Sequence, residues 1–142
     1  MKKPILFFSI VLILILAISF YCYINYQFNT NQITQTNSKY QKYDGKSFKG
    51  TELVSIMNQI IDDNTKNNIE KDAKGQYIEN ETNSITADIY FKDNEKTYTI
   101  ETIYNSGIEN FAKNYSSQAF KCTKIEYHEK TNLVKYLHFE QI

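Results

Sequence analysis

Arginine and tryptophan are absent from this 142-residue chain, which holds one proline, four glycines, two cysteines and two histidines. All 16 basic side chains are lysines, so the planar guanidinium fork that grips phosphate in two places is missing. Lys2 and Lys3 precede the first apolar run, leaving 14 basic against 16 acidic residues in the remainder, a net charge of −2. A near-neutral chain without Arg carries no basic stripe for a phosphate backbone, which argues against nucleic acid as a partner. Cys22 lies in the apolar segment and Cys122 near the far end, so no disulfide framework is implied. Four glycines are little material for phosphate-cradling loops. Neither G-x-x-x-x-G-K-[ST] nor G-x-G-x-x-G occurs, and C-x-x-C, H-E-x-x-H and G-x-S-x-G are equally absent.

What the chain does have is an apolar N-terminus. From Ile5 to Ile24 the only clearly polar side chains are Ser9 and Ser19. Twenty helical residues span about 30 Å, the thickness of a bilayer's hydrocarbon core. This predicts a single-pass anchor over residues 1–26. Lysines on one flank and no charge from Asn25 to Ser38 on the other put the N-terminus in the cytoplasm and the rest of the chain outside. Tyr21, Tyr23 and Tyr26 sit where a helix leaves the bilayer. Two alternatives stand beside the anchor. Ala17-Ile18-Ser19 offers small residues for signal-peptidase cleavage near Ser19, which would release the domain, but the apolar run continues past the site to Ile24. Lipidation of Cys22 is disfavoured by the bulky Phe20 and Tyr21 before it.

Residues 27–46 are rich in Asn, Gln, Thr and Ser and read as a polar, flexible stalk. The predicted extracytoplasmic domain is 47–142. In it Leu53, Ile56, Met57, Ile60 and Ile61 form a one-faced helical stripe with Thr51 as N-cap. Ile85, Ala87, Ile89 and Phe91 alternate with polar residues, as do Tyr98, Ile100, Thr102 and Tyr104 across Asp93-Asn94-Glu95, predicting a β-hairpin. Ser106 and Glu109 make a capping box for a second helix with Ile108, Phe111, Ala112 and Tyr115 on its apolar face. A closing hairpin joins 119–128 to 133–142, and the apolar parity changes after Cys122, which predicts a bulge near Thr123-Lys124. The fold class is thus α+β, in the order α-ββ-α-ββ, an antiparallel sheet packed by two helices.

The candidate chemistry is thin. His128 and His138 lie in one predicted hairpin, His128 facing Leu133 and His138 facing Thr123, about 17 Å apart. That separation speaks against a shared metal site and leaves each His at a surface or edge-strand position. Cys122, beside Phe120, reads as a buried core thiol rather than a nucleophile. Asp62, Asp63, Glu70 and Asp72 fail the calcium-loop pattern, since Lys66 and Asn67 stand at positions five and six. They read as a solvated helix end and loop. Asn80-Glu-Thr82 and Asn114-Tyr-Ser116 match the N-glycosylation pattern by accident if the source is bacterial. No catalytic, cofactor or metal residue is assigned, and no cofactor is expected. An enzyme would have to assemble its site in space, from residues such as Asp88, Glu101, Glu126 and Tyr127.

The segments Lys49-Gly-Thr-Glu-Leu-Val-Ser-Ile-Met-Asn-Gln-Ile-Ile-Asp-Asp-Asn64 and Phe120-Lys-Cys-Thr-Lys-Ile-Glu-Tyr-His-Glu-Lys130 resemble a family of small membrane-anchored proteins of low-GC Gram-positive bacteria for which no activity is known. The resemblance covers roughly residues 43–142 and transfers no functional residue. The chain is more loosely similar to pilin-like proteins, which share an apolar N-terminal helix and an α/β head. It departs from them in lacking the Gly-Phe-Thr-Leu-Ile-Glu processing motif and a Glu near the anchor's start. The expected role is a non-enzymatic envelope module whose partner is an envelope protein or a wall polymer. A pilin-like or secretion-apparatus subunit, or an enzyme with an unrecognised site, are the alternatives.

Overall fold

In the computed structural model, residues 3–142 are described, with side chains from Phe7 onward. The chain divides into two compact units, residues up to Gln35 and Thr36–Ile142. The described residues of the first unit lie within helix α1 (Lys3–Gln41). Its large apolar side chains from Phe7 to Phe28 are exposed, and α1 is the one described helix long and apolar enough to cross a membrane. That property fits a single-pass anchor and equally a signal sequence. Residues 27–41, expected as a flexible stalk, are helical. The final turns of α1 belong to the second unit, where Asn37, Tyr40 and, just beyond the helix, Tyr43 are buried.

The second unit is a mixed α+β head. Strand β1 (Ser47–Lys49) leads into helix α2 (Gly50–Lys66), followed by β2 (Thr86–Phe91) and β3 (Lys96–Thr99). Helices α3 (Ile100–Asn105) and α4 (Ile108–Tyr115) precede β4 (Ala119–Tyr127) and β5 (Val134–Gln141). The expected stripe on α2 holds: Leu53, Ile56, Met57 and Ile60 are fully buried. Thr51, however, is not its cap. The helix begins at Gly50, Lys49 caps it without a side-chain bond, and the first N–H groups donate outward, Gly50 to the Gln118 carbonyl (2.9 Å) and Thr51 to that of Ser116 (3.3 Å). A neighbouring segment thus satisfies the donors that a capping side chain would otherwise take.

The predicted order is only partly matched. The first strand of the head, β1, escaped notice because three residues carry no periodicity. Strand β3 stops at Thr99, whose hydroxyl accepts from the Thr102 N–H and starts α3, so Ile100–Tyr104 is helix and not strand. The helix expected from Ser106 onward is α4; it is preceded by the unexpected α3, Gly107 at φ 103 separates the two, and Gly107 rather than Ser106 stands at the N-cap of α4. The sheet runs β1-β4-β5-β2-β3 and is mixed rather than antiparallel: β2 and β5 pair in parallel, with Asp88 opposite His138. Both hairpins form, the first with its second strand cut short at Thr99. The excursion through β3, α3, α4 and β4 between them is long enough to bring β5 alongside β2 in the same direction, which no local pattern specifies. The bulge expected near Thr123-Lys124 is present, between Cys122 and Lys124.

Period two sorts the sheet's faces. Ala87, Ile89, Phe91, Leu137 and Phe139 point into the core with α2 and Phe120, whereas Thr86, Asp88, Tyr90, Tyr136, His138 and Glu140 are half-exposed on the other face.

Candidate functional site

Parallel pairing of β2 with β5 lines up polar residues across the open face. Tyr136 donates from its hydroxyl to Asp88 Oδ1 at 2.8 Å, and His138 Nδ1 meets the same oxygen. On the other side His138 Nε2 lies 3.6 Å from Glu140 Oε1, which accepts from the Thr123 hydroxyl at 3.0 Å. Burial, reinforced by the hydrogen bond to Asp88 and that residue's charge, pushes the Tyr136 phenol up. An imidazole held between two carboxylates is fixed in orientation. Because Asp88 Oδ1 is already shared by Tyr136 and His138, the row is a closed polar network along the sheet.

The three acids and one tyrosine singled out for an enzyme separate into two places. Asp88 and Glu101 line one cleft of about 200 Å³ with Tyr77, Thr99 and Tyr136. Glu101 is buried there, and burial raises its carboxyl above the ordinary value, opposed by hydrogen bonds from Thr99 and the Tyr77 backbone. Glu126 and Tyr127 line a separate depression with Glu79, Glu81 and Lys135. A hydrogen bond from Lys124 holds the exposed Glu126 carboxyl below its ordinary range.

His128 is not on the surface as expected. It is 3 % exposed, and its Nε2–H donates to the Ser84 carbonyl at 2.8 Å, because the polar loop 67–85 folds over the end of β4. His138 pairs with Lys124 instead of Thr123, since the bulge shifts the register by one. Cys122 is buried in the core, and burial pushes its thiol up to about 11. Asp63 accepts from Lys39 (3.1 Å) and from the Tyr40 hydroxyl (2.8 Å), joining α2 to the end of α1, so it is not a solvated helix end. Asp72 spends its carboxylate on the N–H groups of Lys74 and Gln76 in its own turn. Asn80 accepts from the N–H groups of Thr82, Asn83 and Ser84. Among the described residues no three His, Cys, Asp or Glu side chains are grouped to hold a metal.

One concavity had no counterpart in the sequence reading. A pocket of about 370 Å³ opens between β3, α3 and α4, floored by Phe91, Tyr98, Phe111 and Tyr115 and rimmed by Asn94, Thr102, Ser106, Asn110 and Asn114. Phe91 packs at 4.9 Å from Tyr115, which stacks on Phe111 at 5.2 Å. The available signal was the four-residue spacing of Ser106, Asn110 and Asn114 beside the aromatic stripe of Phe111 and Tyr115. Comparison of the chain with family models, curated proteins and solved structures gives no match.

Proposed function

We propose that this chain is a membrane-anchored cell-envelope module, oriented with its N-terminus in the cytoplasm and its head outside, that binds an envelope component without chemical turnover. The observation that carries the reading is the aromatic-floored pocket of the head in a chain whose N-terminal helix leaves its apolar side chains uncovered. Lys2 and Lys3 before that helix, and an uncharged stretch after it, support the orientation. The cleft that unites Asp88 and Glu101, at about 200 Å³, falls below the roughly 300–1,000 Å³ of small-molecule sites, which speaks against a substrate seated between those two acids.

The test is fractionation of cells expressing the full chain, followed by protease treatment of intact cells. The full-mass chain should stay with membranes after an alkaline wash and lose its head to added protease. A soluble product beginning after Ser19, or a head protected until the cells are broken, would overturn the reading.

A second reading, a pilin-like subunit, draws on one observation: α1 supplies the apolar stretch and also Asn37 and Tyr40 of the head's core. It requires copies to assemble side by side. Cross-linking in intact membranes that gives a ladder of multiples would favour it, and a single monomer band would dismiss it.

A further inference from the structure

We infer that the pocket between β3, α3 and α4 binds a neutral saccharide, one or two pyranose rings presenting hydroxyl or N-acetyl groups. This deepens the binding-module reading and rests on it, since it supplies the ligand class for that module's pocket.

The lining sets the chemistry. No charged side chain reaches the pocket, so an anionic ligand would lose its water without meeting a cation, and a cationic one without meeting a carboxylate. The floor is aromatic, with Phe91 and Phe111 buried and the rings of Tyr98 and Tyr115 half-exposed. Flat rings of this kind take up the C–H face of a sugar and keep a phenol hydroxyl free for polar contact. The rim is neutral but strongly polar. An amide offers two donors and an acceptor, which matches hydroxyl and acetamido groups that also donate and accept. Asn94 commits its Oδ1 to the Lys96 N–H (3.1 Å), and Asn110 gives one N–H to the Ser106 carbonyl at a long 3.4 Å, which leaves each with unspent capacity. A pure hydrocarbon would strip water from this rim and return no hydrogen bonds. The volume, about 370 Å³, lies at the small end of the range for ligand sites and fits a short saccharide unit. Gly107 keeps the mouth open: its positive φ turns α3 into α4, and a Cβ there would stand 3.1 Å from Asn110 Nδ2.

The experiment uses the full chain in lipid nanodiscs, free of sugar-based detergents, with saturation-transfer NMR on four probes: chitobiose, cellobiose, glucuronic acid and octanoate. Saturation should reach the ring protons of at least one of the two neutral disaccharides and neither of the other probes. Chitobiose alone would assign an N-acetylated source, and both disaccharides an unmodified ring. The exposed double substitution Asn110→Ala with Asn114→Ala should weaken binding by about tenfold or more with the circular dichroism unchanged. Glu126→Gln, in the separate depression, should leave binding as it is. Silence from both disaccharides at millimolar concentration, full binding by the double variant, or preference for octanoate would each overturn the inference. Its failure is separable from that of the module reading: a head found in the cytoplasm defeats the module, whereas an outward head that ignores both sugars defeats only the ligand class.

Discussion

Asn64 forms a two-point amide pair with the backbone of Ile85, accepting the Ile85 N–H at 2.8 Å and donating to its carbonyl at 2.6 Å. The side chain is fully buried, so it stands in for a missing neighbouring strand and ties the end of α2 to the residue that precedes β2. Replacement by Ala leaves a donor and an acceptor in the interior without partners. Asn64→Ala should therefore cost about 2–4 kcal/mol. For a head of this size that is a fall of roughly 10 °C or more in Tm, read by circular dichroism. A shift within a degree or two would mean that water replaces the amide.

A matching pair lies at the start of β5. Asn37 accepts the Val134 N–H at 2.9 Å and donates to the Asn132 carbonyl at 2.7 Å. Close to it, Tyr40 is fully buried and bonded to Asp63, and Tyr43 packs on Phe48 with ring centroids 5.4 Å apart. A chain beginning at residue 36 should fold cooperatively, whereas one beginning at residue 47, without these three side chains, should unfold at clearly lower urea concentration. Equal urea midpoints for the two chains would refute the role given to this segment.

Gly50, at the start of α2, lies directly against the backbone at the end of α4. A Cβ on it would fall 2.0 Å from the Tyr115 carbonyl oxygen, a backbone atom with no freedom to swing away. Gly→Ala inside a helix ordinarily gains up to about 1 kcal/mol, but relieving this overlap requires moving one helix end against the other, which costs about 1–3 kcal/mol or more. Gly50→Ala should consequently be net destabilising, by thermal denaturation, and should loosen Tyr115 at the pocket floor. A stabilised variant would show that the two helix ends are further apart than described.

These three positions also mark where the sequence was legible and where it was not. Ile85, Ala87, Ile89 and Phe91 announced β2 by alternation, and the parity change after Cys122 announced the β4 bulge, because each pattern is generated by the strand's own geometry. Asn37 in an Asn-rich segment looks the same as a solvated stalk residue until a backbone distant in sequence is placed beside it. Tyr98–Tyr104 alternates as a strand does, and the Thr99 cap turns Ile100–Asn105 into helix only because the chain has somewhere to pack Ile100 and Ile103. The pocket joins Phe91 to Phe111 and Tyr115 across the fold, so neither half announced it. His128 was misplaced for the same reason: nothing in Glu126–Lys130 shows that Ser84 will cover it.

Glu101 offers a pH-dependent test. It is 4 % exposed, and burial raises its carboxyl above the ordinary 4.5. Between that value and its folded-state pKa the folded head holds the proton and the unfolded chain has lost it. Its favourable contribution is thus complete below about pH 4.5 and disappears as pH rises through the folded value, so at neutral pH the ionised group weighs against folding. Glu101→Gln keeps the shape and the capacity to accept from Thr99 and the Tyr77 backbone while removing the charge. The variant should match the parent in Tm near pH 4 and exceed it by a few degrees at pH 7. Using the difference between the two chains cancels the other carboxylates, including Glu126, whose depressed pKa acts in the opposite direction. If Glu101→Gln instead loses stability at pH 7, the hydrogen bonds to the ionised carboxylate outweigh its burial, and the direction assigned here is wrong.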